Sequence, residues 1–162
     1  PGAFLQASAA AEAALVAEVT AAIGRARPVL DLYAGLGTFA FALGGGVHAV
    51  EGNAAAAAAM AAAAAPGITV ERRDLERDPL PVEALARYAA AVFDPPRVGA
   101  RRQAERLAAS AIPTIVAVSC NPATFARDAA RLIAGGYRLE RVAPVDQFVW
   151  TPHLELVAVF RR

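Results

Sequence analysis

Pro28-Val29-Leu30-Asp31-Leu32-Tyr33-Ala34-Gly35-Leu36-Gly37-Thr38-Phe39-Ala40 is the stretch from which the rest of the chain can be read. Pro28 to Tyr33 is a short apolar run with the pattern of a buried strand, Ala34 to Gly37 is a glycine turn, and Thr38 to Leu43 returns to a helical pattern. Strand, glycine turn and helix form the unit from which doubly wound sheets are assembled. In such sheets ligands lie beyond the C-terminal strand ends, near the point where strand order reverses.

The same alternation continues on both sides. Upstream, Ala10 to Ile23 has Leu15, Val19, Ala22 and Ile23 at helical spacing, with Ser8 as N-cap and Gly24 as the stop. Downstream, Val47 to Glu51 is a second strand, and Asn53 caps an alanine block that runs to Ala65 and breaks at Pro66-Gly67. Alanine has the highest intrinsic helix propensity, so the block reads as an outer helix. Ile68 to Glu71, Ala89 to Phe93 and Thr114 to Val118 are further strands, separated by helices at Val82 to Arg87 and Ala104 to Ala111. Asn121-Pro122 opens a helix with Phe125, Ala129, Leu132 and Ile133 on one face, ended by Gly135-Gly136. Tyr137 to Val145 and Leu154 to Phe160 follow with no long helix between them, the pattern of an antiparallel pair closing the sheet. The predicted fold is α/β, a mostly parallel doubly wound sheet with helices on both faces and an antiparallel C-terminal strand.

Composition supports one folded domain. The 162 residues are 57% hydrophobic and 19% charged, which excludes a disordered tail, a collagen-like chain and a disulfide scaffold. One Cys cannot pair within the chain. No apolar run is long enough for a membrane span and no signal-like segment opens the sequence, so a soluble, cytoplasmic protein is expected. The formal charge is +1, from 16 basic and 15 acidic side chains. Every basic residue is Arg, whose planar fork suits phosphates and base edges, so local Arg patches remain open to RNA. Pro1 stands where Met would begin a chain, and a domain cut from a longer protein is expected.

Gly35-Leu36-Gly37-Thr38-Phe39-Ala40 satisfies the relaxed dinucleotide pattern G-x-G-x-x-A. Asp31 argues against a dinucleotide, since a carboxylate four residues before the first glycine repels a pyrophosphate and attracts an ammonium. S-adenosylmethionine fits, because its methionine part carries an ammonium and its sulfonium is positive, while Glu51 can accept hydrogen bonds from both ribose hydroxyls. Asp74, after the third strand, is placed to reach an adenine edge or is simply solvated among its charged neighbours. Asp94-Pro95-Pro96-Arg97 follows the fourth strand at the same sheet edge, where rigid prolines present an acid and an Arg. Cys120 lies at the end of an apolar strand just before a helix N-terminus, a position expected to lower a thiol pKa. Strand periodicity puts His153 and Glu155 on one face, with Glu155 either a partly desolvated base or an edge residue pointing to water.

The residues resemble the RNA 5-methyluridine (uracil-C5) methyltransferases. The resemblance is carried, in family order, by Phe4-Leu5-Gln6, Asp31 to Phe39, Val50-Glu51-Gly52, Asp94-Pro95-Pro96-Arg97-Val98-Gly99, Ser119 to Asp128 and His153-Leu154-Glu155. It implies that residues 1–162 are a single methyltransferase domain, the C-terminal part of a longer protein. It further implies Cys120 as the nucleophile adding to uracil C6, Glu155 as the base, and Gln6, Tyr33, Glu51 and Asp94 in contact with the methyl donor. Asp31, Gly35, Gly37, Thr38 and Asp74 complete the expected donor site. Pro95, Arg97, Asn121, Arg127 and His153 are expected at the substrate. The implied cofactor is S-adenosylmethionine, the implied partner an rRNA or tRNA uridine, and no metal is expected. Ala34 stands where the family often has Cys, and the N-terminal oligonucleotide-binding barrel and iron–sulfur cysteines of some members are not in this sequence. The readings that compete are a donor-binding or RNA-binding module without turnover, a methyltransferase with another acceptor, and an NAD-binding protein.

Overall fold

A computed structural model describes residues 9–146 and 154–162. In chain order the elements are α1 (Ala9–Ile23), β1 (Val29–Leu32), α2 (Thr38–Leu43), β2 (Val47–Glu51), α3 (Ala54–Ala63), β3 (Ile68–Arg72), α4 (Val82–Leu85), β4 (Ala90–Phe93), α5 (Arg101–Ala108), β5 (Thr114–Ser119), α6 (Pro122–Ala134), β6 (Arg138–Asp146) and β7 (Leu154–Arg161). The strands form one seven-stranded sheet in the order β3-β2-β1-β4-β5-β7-β6. Pairings among β1 to β5 are parallel, and β7 enters antiparallel between β5 and β6. Strand order reverses between β1 and β4, so the ends of these two strands flank the expected crevice.

Alternation along the strands separates two cores. Val29, Val92, Val116 and Val118 face α1, α2 and α3, packing with Leu15, Phe39 and Met60. Leu30, Leu32, Phe93, Ile115 and Phe160 face α4, α5 and α6, packing with Leu85, Leu107 and Leu132. Every residue of β1, β4 and β5 is buried, as expected of parallel strands covered on both faces. Asn53 caps α3 as expected, its side-chain oxygen accepting from the Ala55 and Ala56 amides.

Two boundaries correct the sequence reading. Helix α5 begins at Arg101, three residues before the expected Ala104, because its start is set from elsewhere in the fold. Gly99 turns with φ 73°, and the buried Ala100 amide donates to the Asp128 carboxylate on α6. At its other end the Ser110 hydroxyl bonds the Leu107 carbonyl, closing the helix before Ala111. On α6 the inward face is Asp128, Ala129 and Leu132, while Ile133, expected inside, is 49% exposed. Bringing the acid inward turns Ile133 outward.

Helices α5 and α6 meet closely at Gly135. A Cβ built there would stand 2.3 Å from the Ala108 carbonyl oxygen, so only glycine allows this approach. Among the described residues no helix is long and apolar enough to cross a membrane.

Candidate active site

The glycine turn is shaped by backbone that only glycine adopts cheaply. Gly35 and Gly37 have φ of 58° and 94°, and a Cβ on Gly37 would lie 2.7 Å from the Phe41 ring and 2.9 Å from the Met60 sulfur. Glu51 holds this turn from the next strand. One carboxylate oxygen accepts from the Gly35 amide at 2.8 Å and the other from the Asn53 amide at 2.6 Å, which leaves each a free lone pair. Thr38 opens α2 and is partly exposed at the same edge.

Side-chain alternation then gathers the chemistry on one face. Asp31 shares the side of Val29, Asp94 follows Val92 on that side of β4, and Cys120 follows Val116 and Val118. Glu155 precedes Val157 on the same side of β7. The β5–β7 register ends at Ser119 opposite Leu156, so Cys120 and Glu155 come level one residue beyond it. The groups feel one another's charge. Burial, then the charge of Asp94 and of Glu51, pushes the Asp31 carboxyl up to about 8. Burial and then Glu155 push Asp94 up to about 7. Glu155, 4% exposed, is raised by burial while Arg97 pulls it the other way. Glu155 is thus a desolvated carboxyl and not an edge residue pointing to water.

Cys120 departs from expectation. Its thiol is raised, not lowered: burial and the charges of Glu155 and Asp94 outweigh Arg97, although the N-cap of α6 is the next residue. The helix end favours a thiolate, but burial first and the neighbouring acids after it disfavour it more.

Asp31 is fully buried, and neither carboxylate oxygen has a hydrogen-bond partner among the described residues. The Ala40 backbone amide of the same turn lowers the carboxyl without reaching hydrogen-bond geometry, and burial outweighs it. An unpaired buried carboxylate is costly, and a cationic donor supplied by a ligand removes that cost. The orphaned oxygens fit an α-ammonium.

Other expected residues stand apart from this face. Tyr33 has φ 63° and turns to the opposite side of the sheet, edge-on to Phe93, its hydroxyl donating to Glu76 at 2.9 Å. Asp74 accepts from the Glu76 and Arg77 amides with one oxygen, and it lines an open cleft together with Gly52 and Arg72. Pro95 is buried beneath the 94–97 turn. Asn121 caps α6 with its oxygen and donates its amide to the Arg97 carbonyl. Arg127 lies along Asp128 and the Val98 carbonyl, so its guanidinium is committed within the fold. Arg101 and Arg131 bind Glu105, and Arg102 binds backbone carbonyls at Glu76 and Arg77. Gln6 and His153 lie outside the described residues. Sequence reasoning gave no role to Asp128, Thr124 and Glu76. The signal for Asp128 was available: an acid on the otherwise apolar stripe of α6.

The glycine turn, the acidic strand ends and the reversal of strand order define a class: the doubly wound sheet shared with S-adenosylmethionine-dependent methyltransferases. One solved structure of that class, from Mesorhizobium loti, matches the fold with a TM-score of 0.69 over 96% of this chain at 17% identity. The sequence profile of the tRNA (Uracil-5-)-methyltransferase family matches residues 69–162, and the chain belongs to that family. The Pyrococcus abyssi tRNA (uracil-54, C5)-methyltransferase, solved with S-adenosyl-L-homocysteine, superposes with a TM-score of 0.84 at 31% identity, over 99% of this chain and 40% of its own. A Brucella melitensis protein called an uncharacterized RNA methyltransferase is 51% identical over 100% of this chain and 41% of its own length. The Chromohalobacter salexigens 23S rRNA (uracil(1939)-C(5))-methyltransferase is 38% identical over 100% of this chain and 35% of its own length. The chain thus spans about two fifths of the curated relatives it matches.

Proposed function

We propose that the chain is the catalytic domain of an RNA (uracil-C5) methyltransferase that uses S-adenosylmethionine and works through a covalent Cys120 adduct. The observation that carries this reading is the meeting of Cys120 with a buried Glu155 at the edge where Asp31 waits for a cation. Family membership and the longer, RNA-modifying relatives support RNA as the partner, with further RNA-binding parts elsewhere in the whole protein. The acidic cluster of Asp31, Asp94 and Glu155 disfavours the dinucleotide alternative, whose pyrophosphate it would repel.

Asp31 would take the ammonium of the donor, and the glycine turn held by Glu51 would leave the backbone open to its methionine part. When bound, S-adenosylmethionine supplies a methyl group on a positively charged sulfur, which also favours thiolate at the neighbouring Cys120. Uracil C5 is a weak nucleophile. Addition of the Cys120 thiolate to C6 would form a C–S bond and move the ring electrons to O4 as an enolate, whose C5 would then take the methyl group as its bond to sulfur breaks and S-adenosyl-L-homocysteine leaves. Glu155 takes the C5 proton, the C5–C6 double bond re-forms, and the C–S bond breaks to return the thiolate. The base must be flipped out or single-stranded to reach the thiol.

Incubation with labelled S-adenosylmethionine and an RNA containing 5-fluorouridine, then denaturing electrophoresis and peptide mapping, tests this chemistry. Fluorine cannot leave as a proton does, so a methylated RNA adduct on Cys120 is expected. Donor binding by calorimetry with no adduct, in the whole protein as well as in this chain, would overturn uracil as the acceptor.

A further inference from the structure

Beyond the hydrogen bond from the Gly99 amide to the Pro96 carbonyl, the backbone of the 97–100 loop is held by side chains of α6 and its N-cap. The Arg97 carbonyl accepts from the Asn121 amide at 2.9 Å and from the Thr124 hydroxyl at 3.1 Å. The Val98 carbonyl accepts from Arg127 at 3.1 Å, and the Ala100 amide donates to Asp128 at 2.9 Å. Asp128 is 3% exposed and also takes the Arg127 guanidinium with both oxygens, so one buried carboxylate anchors the set. Gly99 is pressed against this pair: a Cβ there would lie 2.3 Å from the Arg127 guanidinium and 2.6 Å from the Asp128 carboxylate. The same helix begins two residues after Cys120. Loop and thiol are therefore fixed to one rigid body.

We propose that the polar face of α6, anchored by Asp128, is a positioning device that fixes Arg97 beside Cys120 and Glu155. Arg97 is the cation that bears on both groups, and its side chain is otherwise exposed on a proline-bounded turn. Without the lock it would lose much of its time near them to solvent. The reading of Cys120 as nucleophile underlies the device's part in the reaction, whereas the lock can be tested without turnover.

Cys120 is the single cysteine, so the rate of its alkylation by iodoacetamide as a function of pH reports its thiolate directly. Glu155 on β7, Asp94 after β4 and Arg97 on the loop face it. Arg97→Ala is expected to move the alkylation profile to higher pH by about one pH unit, the low end of what a nearby opposite charge is worth. Asp128→Asn is expected to move it in the same direction, and the double variant to move no further than Arg97→Ala alone. An Asp128 that only supports the fold would lower the melting midpoint with the profile unmoved, or shift it by an amount that adds to that of Arg97→Ala; either result overturns the proposal. Should Asp128→Asn fail to fold, Thr124→Val decides, since it removes one bond to the Arg97 carbonyl and leaves the buried pair intact. A smaller shift of the same sign, absent when Arg97 is Ala, is expected, and an unmoved profile overturns the lock. Full turnover by Cys120→Ala would instead sink the nucleophile reading and leave these profiles standing.

Discussion

Cys120 and Asp31 are asked to do opposite things, and the variants separate them. Cys120→Ala removes the atom that would touch uracil and leaves the donor's groups in place, so turnover falls to background while donor affinity measured by calorimetry stays within about twofold. Asp31→Asn should do the reverse: it removes the charge that would meet the ammonium, and affinity is expected to fall by roughly tenfold to a hundredfold, the usual worth of a hydrogen bond to a charged group. Glu155→Gln keeps the shape of the base without its proton affinity. Addition and methyl transfer then outrun elimination, and an enzyme–RNA adduct that survives denaturation is expected to accumulate on unmodified RNA. Residue types along the chain made the position of this cluster legible, because an acid at a buried strand end and a thiol before a helix each break a local rule. Sequence did not reveal the direction in which Cys120 titrates. That depends first on burial and then on Glu155 and Asp94, which stand 35 residues after it and 26 before it in the chain and reach it only through the order of strands.

Elements were legible where their own residues determine them. The strand and glycine turn at Val29 to Gly37, the Asn53 cap and the Asn121-Pro122 start all lie where local chemistry puts them. Helix α5 was misread by three residues because nothing within it marks its start; the mark is Asp128, on another helix. The contact between these helices yields a prediction that local conformation would miss. Gly135 has φ −76°, which any residue adopts, yet Gly135→Ala would drive a methyl group into the Ala108 carbonyl and is expected to destabilise by about 1–3 kcal/mol, the range for overpacking. Chemical denaturation reads this as a lower midpoint at unchanged slope. A neutral Gly135→Ala would mean that the two helices separate without cost.

For the molecule as a whole, the buried acids tie stability to pH. Asp31 and Asp94 hold protons in the fold up to about 8 and about 7, whereas the unfolded chain releases them near the ordinary carboxylate range. Folding therefore takes up protons across this window. The stability these groups contribute is complete at acid pH and is lost as pH rises through about 7 to 8. His48, held below its usual value by burial, acts in the opposite sense, but only below the window in question. The melting midpoint of the ligand-free chain is accordingly expected to fall between about pH 6.5 and about pH 8 and to level off above that. Asp31→Asn should flatten that fall and melt several degrees higher at the alkaline end, each kcal/mol being worth about 2–4 °C at this size. A midpoint that rises over this range would refute the linkage. The chain as a whole gives up stability where the ends of β1 and β4 bring two acids together.

The order of the sheet also governs how the site comes into being on the ribosome. Strand β7 is the last of the seven to be synthesised, yet it is an interior strand, seated between β5 and β6. Until it emerges, β5 presents an unpaired hydrophobic edge and β6 has no neighbour to join, a state open to mispairing with other nascent chains. Cys120 is made 35 residues before Glu155. A growing polypeptide thus carries the thiol without the buried carboxyl beside it, and strand β7 completes the barrier against aggregation in the same stroke that brings Cys120 and Glu155 level.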